Sequence, residues 1–203
     1  KKKDFILVIG LHALYPKRLR SFIDLSIYLD VEDNLRKYFK INRDIKKRNY
    51  KYSKIIDEIE KRKKDSKLYI KKQKNYADLI FQISSTKKNI LKNYKQNKWI
   101  NTKIKLIIKR EINELLFFKI LSKLTKKFDH KKTDKHLIIE LNSNDILSKD
   151  YQLELKKIIQ DKDEILAISP EYKTKETGLM QFVILFYIFD KIEKERGNSK
   201  IFF

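Results

Sequence analysis

Arginine is scarce in this chain and unevenly placed. Among 49 Lys/Arg residues only eight are arginine, and six of these fall early: Arg18, Arg20, Arg36, Arg43, Arg48 and Arg62. Where lysine supplies ordinary positive charge, a retained arginine marks a place that needs a planar fork, and that fork suits bidentate contact with phosphate. Arg43 and Arg48 stand five apart in Arg43-Asp44-Ile45-Lys46-Lys47-Arg48. On a helix Asp44 lies within ion-pair reach of Arg48, so Asp44 either forms that simple pair or orients an arginine. Arg18 and Arg20 are candidates for holding an anionic ligand. His12 follows Gly10 at the end of an apolar run, the C-terminal strand position where open α/β sheets place their ligands. Each assignment has a plainer alternative: a helix salt bridge for an arginine, a helix-dipole contact for Arg48, a surface hydrogen bond for His12.

These residues need elements to carry them. Phe5–Ile9 is a continuous apolar run, as in a parallel strand buried on both faces. Pro16 suits the first turn of a short helix over 17–23. Leu25–Leu29 is the next strand, closed by Asp30. Glu32 and Asp33 open a long helix that runs to Arg48, with acidic groups at its positive end and Asn49 as its stop. Ser53 caps a further helix to Lys63 with Ile55, Ile56 and Ile59 inward, and Ala77–Ile83 is a third strand. This order predicts α/β architecture with a parallel sheet over residues 1–83. The polar, Lys/Asn-rich stretch after it reads as a linker, 84–100. Beyond it a smaller α+β module, 101–203, is expected: strands at Lys103–Ile112 and His136–Leu141, helices at Glu114–Leu124, Ser148–Ile159 and Thr177–Glu195. Phe182, Phe186 and Phe189 on the last helix suit internal packing or, as the alternative, a homo-oligomer interface.

Composition narrows the function classes. With 41% hydrophobic residues the chain can build a core despite 37% charged residues. It lacks cysteine, which excludes disulfides and thiolate metal sites and fits a reducing, cytoplasmic setting. Leu179–Phe189 is about half the roughly 18–20 residues of a membrane span, and no signal peptide is evident. The net charge of +22 invites a nucleic-acid reading. Lysine is spread along the whole length, however, without a basic-aromatic groove motif, and this argues for a solvated surface. The chain starts at Lys1 and its one methionine is Met180. The reading is therefore the C-terminal part of a longer protein.

Five segments in order resemble one family. They are Gly10-Leu11-His12-Ala13-Leu14, Leu19-Arg20, Asp24-Leu25-Ser26-Ile27-Tyr28-Leu29-Asp30, Arg43-Asp44-Ile45-Lys46-Lys47-Arg48, and Gln73-Lys74-Asn75-Tyr76-Ala77-Asp78. Over about 75 residues this pattern is similar to the phosphoribulokinase/uridine kinase family of P-loop kinases. His12 and the Gln73–Asp78 segment resemble phosphoribulokinase more than uridine kinase.

The resemblance implies part of a P-loop kinase fold and an ATP- and Mg²⁺-dependent transfer of phosphate to a hydroxyl of a small molecule. Suitable acceptors are a sugar phosphate such as ribulose 5-phosphate, or a nucleoside. It implies lid arginines at Arg43 and Arg48 reaching the nucleotide phosphates, Asp44 beside them, and acceptor contacts from His12, Arg18 and Arg20. Two departures stand against it. The family carries a metal-holding carboxylate where this chain has Ile9, and isoleucine cannot coordinate a hard cation. No G-x-x-x-x-G-K-[ST] loop occurs, the glycines being Gly10, Gly178 and Gly197. The chain alone is expected not to catalyse. The alternative is a pseudo-kinase, a nucleotide-binding regulatory module without chemistry.

Overall fold

The computed structural model describes residues 6–96, 100–109, 112–147, 171 and 173–195. The chain folds as two units, residues 1–100 and 101–203.

In the first unit, strand β1 (Ile27–Val31) pairs in parallel with β2 (Leu79–Ser85), Ile27 opposite Leu79 and Val31 opposite Ile83. Parallel strands need a long crossover, and the intervening residues supply it as helices. A short helix α1 (Lys17–Arg20) precedes β1. Helix α2 (Asp33–Arg48) buries Leu35, Tyr38, Ile41 and Asp44, a three-residue spacing that makes one inward stripe. Asn49 ends α2 in the left-handed conformation, φ 54°, its N–H returning to the Asp44 carbonyl. Helix α3 (Tyr52–Lys61) follows, then α4 (Lys63–Asp65), a π turn (Ser66–Ile70) and a 3₁₀ turn (Lys71–Tyr76). Against α2, Leu35 and Tyr38 pack with Ile90, flanked by Val31, Ile83, Leu91 and Tyr94.

Four sequence expectations are corrected here. Ile6–Ile9 is not a strand: it lacks regular structure, and Ile6, Leu7 and Ile9 are each 83% exposed. A strand buried on both faces requires neighbours to cover it and to take its backbone groups. The described residues provide no strand beside it. Ser53 does not cap α3, whose N-cap is Lys51 without a side-chain bond. Where a linker is expected, β2 continues to Ser85 and a 3₁₀ helix covers Ile90–Gln96, with Ile90 buried against α2. Asp30, expected to close β1, lies inside it and accepts from Gln82 Nε2 at 3.0 Å.

The second unit has β3 (Thr102–Ile108) antiparallel to β5 (Leu137–Asn142), which also pairs with β4 (Asp129–Lys132). Along β3, Thr102, Ile104, Leu106 and Ile108 are buried while the residues between them are more open, the two-residue period of a half-buried strand. Helix α5 (Glu114–Leu124) has Asn113 as its cap, with Oδ1 accepting the Leu116 N–H at 3.1 Å. Helix α6 (Lys175–Glu195) buries Phe182, Phe186 and Phe189. Phe117 stacks on Phe182 at 5.5 Å and meets Phe186 edge-on at 5.1 Å, so these rings pack internally. The helix expected over Ser148–Ile159 lies outside the described residues. The fold is thus α/β with parallel pairing in the first unit and α+β in the second.

Candidate functional site

Asp44 is the centre of the first group. Its position on the inward stripe of α2 leaves the side chain fully buried, yet the end of the helix brings three cations to it. Arg43 Nε donates to Oδ1 at 2.8 Å, Lys40 Nζ to Oδ2 at 2.7 Å, and Arg48 Nη1 stands 3.4 Å from Oδ1. The Arg43 hydrogen bond holds the Asp44 carboxyl far below the usual carboxylate range, against the opposing effect of burial and with help from Lys40. Lys40 also reaches Glu58 at 3.1 Å and so ties α2 to α3. Both arginines keep about half of their side-chain surface in solvent, 50% for Arg43 and 51% for Arg48. Each therefore presents an oriented, partly open guanidinium. The expected Asp44–Arg48 pair is present, and two closer partners join it. Lys40 was legible in the sequence as a residue four before Asp44; the burial of Asp44 was not.

The second group is built on the loop before α1. Ala13 N–H bonds the Gly10 carbonyl and Tyr15 N–H bonds the His12 carbonyl, closing consecutive turns. His12 is exposed and meets the Tyr15 ring edge-on at 6.1 Å. Arg20 turns back onto this loop: one Nη donates to the Leu14 carbonyl at 2.8 Å and to the Tyr15 carbonyl at 2.7 Å. The guanidinium carbon lies 3.9 Å from the centre of the Tyr76 ring. Arg18 is exposed, its carbonyl accepting from Ser21 Oγ at 2.8 Å. Tyr76 is 52% exposed and serves as the platform for Arg20.

Asp78 plays a structural part, since one carboxylate oxygen accepts both the Ser26 N–H at 2.9 Å and the Ser26 hydroxyl at 2.6 Å. That junction starts the β1–β2 pairing. A residue absent from the sequence-based candidates is Gln73, buried at 3% exposure and bonded to the loop that carries His12. Its only sequence signal is its place at the head of the Gln73–Asp78 segment.

No group of three or more His, Asp or Glu side chains fit to hold a metal occurs among the described residues. Ile9 offers no oxygen, so the residues described do not fit Mg²⁺. The phosphates of ATP suit the two half-open guanidiniums. A cleft of about 840 Å³ lies in the second unit, lined in part by Lys109, Lys132, Lys135 and His136. It contains none of the residues singled out above.

Residues 1–90 match the model of the Phosphoribulokinase / Uridine kinase family. The family's phosphoribulokinases from Synechocystis sp. and Spinacia oleracea are 38% and 43% identical over 82 residues, 40% of this chain in each case. Those 82 residues are 25% and 20% of the two relatives. The uridine kinase of Clostridium novyi is 36% identical over 81 residues, 39% of this chain and 39% of that protein. The chain thus spans well under half of the curated relatives it matches. A phosphoribulokinase structure from Rhodobacter spheroides aligns at 18% identity with a TM-score of 0.46, covering 72% of this chain and 50% of that one.

Proposed function

We propose that this chain is the later part of an ATP-dependent small-molecule kinase whose acceptor is a hydroxyl of a sugar phosphate, such as ribulose 5-phosphate, or of a nucleoside. The observation that carries the proposal is the Asp44 hub, which aims Arg43 and Arg48 from one helix end within a segment close in sequence to phosphoribulokinases. A transferring phosphoryl group spreads negative charge over its oxygens, and preoriented guanidiniums stabilise that charge without having to reorganise. Lysines would deliver comparable charge without the fork. His12, on its braced loop, contacts the acceptor. The reading requires a phosphate-binding loop from the complete parent protein and a metal carboxylate supplied by a residue other than Ile9, and it places the protein in the cytoplasm.

The second reading is a nucleotide-binding module without chemistry, and Ile9 favours it. The test is ADP production from Mg²⁺-ATP by the complete parent protein, with ribulose 5-phosphate, uridine and simple sugars as acceptors. Ile9 is compared with Ile9→Glu. Turnover with Ile9 in place is the expected result. Turnover only after Ile9→Glu identifies a decayed enzyme. Silence from both variants, with ATP still raising the melting temperature, rejects catalysis in favour of the binding module.

A further inference from the structure

We propose that Gln73 is the positioning residue that fixes the His12 loop, and that Arg20 braces the same loop instead of holding an anion. This assignment rests on the kinase reading for the role of His12, but its geometry stands without it.

Gln73 belongs to the 3₁₀ turn Lys71–Tyr76, some sixty residues after the loop. Its buried amide is used on both sides. Oε1 accepts the Leu14 N–H at 2.9 Å, while Nε2 donates to the Leu11 carbonyl at 2.8 Å and to the Tyr69 carbonyl at 2.8 Å. Tyr69 sits where the π turn gives way to the 3₁₀ turn, a change of helical register that leaves a carbonyl without its usual partner. One side chain thus joins that irregular joint to both ends of the His12 turn.

Arg20 completes the hold by taking the Leu14 and Tyr15 carbonyls. Leu14 is anchored by its N–H to Gln73 and by its C=O to Arg20. Its side chain is buried as well, at 7% exposure. Each residue from Gly10 to Tyr15 thus has at least one backbone group hydrogen-bonded, and His12, lying between the two Gln73 contacts, is left exposed on a fixed frame. A side chain that must meet a substrate gains from such a frame because its ordering cost is met before binding. Arg20 cannot be replaced by lysine here. A single ammonium cannot both bond two carbonyls and lay a flat face on Tyr76.

The test uses Gln73→Leu, which removes all three bonds at similar volume, and Gln73→Glu, which keeps an acceptor for Leu14 and loses both donors. Amide hydrogen exchange is measured on this chain, with Leu79–Phe81 of β2 as the control for an intact fold. Losing one buried hydrogen bond should speed Leu14 exchange by about tenfold in Gln73→Leu, with the β2 amides unchanged and Leu14 protection kept in Gln73→Glu. The His12 ring resonances should shift or broaden in both variants. In the complete parent enzyme, Gln73→Leu and Arg20→Lys should raise KM for the acceptor by about tenfold and leave KM for ATP within about twofold. Wild-type Leu14 exchange in Gln73→Leu, or unchanged His12 resonances, overturns the assignment. An equal rise in both KM values overturns it too. A parent protein that turns over no acceptor defeats the kinase reading alone, and the exchange and His12 measurements then decide this one.

Discussion

Asp44 shows how one residue type acquires two meanings. On an exposed helix an Asp–Arg pair four residues apart is worth a few tenths of a kcal/mol. Fully buried with Arg43, Lys40 and Arg48 around it, the same carboxylate cannot lose its partners without leaving polar groups stranded. Asp44→Asn should therefore cost about 2 kcal/mol in urea unfolding, below the full buried-pair figure because the arginines are half in solvent. The pH dependence has a definite sign. The folded carboxyl titrates far below its unfolded value of about 3.9, so its contribution is complete at neutral pH and is lost as pH falls below about 4. The gap between wild type and Asp44→Asn should accordingly narrow in acid unfolding curves between about pH 4 and pH 2. A gap that stays constant would mean the charge is not what matters. On the proposed kinase reading, the same substitution in the complete parent protein should raise KM for ATP, because its effect runs through Arg43 and Arg48.

Elements in this chain are stopped and joined by single residues whose geometry is visible. Asn49 holds φ 54° at the end of α2, a conformation that costs an ordinary L residue about 1 kcal/mol or more. Asn49→Gly should leave thermal stability unchanged or slightly raised, and Asn49→Val should lower it by about 1–2 kcal/mol. The test is the midpoint shift of each variant in thermal unfolding followed by circular dichroism. In the second unit, Asp190 accepts the Asn113 N–H at 3.0 Å and pairs with Lys194 at 3.0 Å, fastening α6 to the start of α5 beside the phenylalanine cluster. Phe182, at 0% exposure between Phe117 and Phe186, is one of the largest fully buried side chains. Phe182→Ala should destabilise the protein by about 3–5 kcal/mol. Denaturant unfolding followed by the near-ultraviolet signal reads it, and a cost under about 1 kcal/mol would contradict the packing described.

At the scale of the whole molecule, two surface properties call for an account. Ile6, Leu7, Ile9, Leu11 and Phe22 are all at least 70% exposed in the first unit, more apolar surface than scattered single residues explain. The chain on its own should bind a hydrophobic dye and self-associate as concentration rises, and Leu7→Lys with Ile9→Glu should suppress both without lowering the melting temperature. The second property is the charge of +22. If it is a solvated coat, binding to duplex DNA and to heparin should be similar and should fall log-linearly with salt. A sequence preference that survives physiological salt would point instead to a dedicated nucleic-acid face.

Spacing was enough to determine the parallel order of two strands, which lie two residues later than read, at Ile27–Val31 and Leu79–Ser85, together with the span Glu114–Leu124 and the Asn49 stop. Those features depend on local propensity, periodicity and turn chemistry, which neighbouring residues carry. Burial and long-range contact were beyond its reach. Phe5–Ile9 has the pattern of a buried strand, but a strand exists only beside another strand, and pairing is a property of the sheet. Arg20 reads as an anion ligand because its charge is visible in sequence, while the carbonyls of Leu14 and Tyr15 and the ring of Tyr76 that occupy it are not. Gln73 reads as an ordinary polar residue until folding closes some sixty residues of chain and places its amide against Leu11 and Leu14. A hydrogen bond needs both partners within about 3 Å, and only the tertiary structure decides which distant groups come that close.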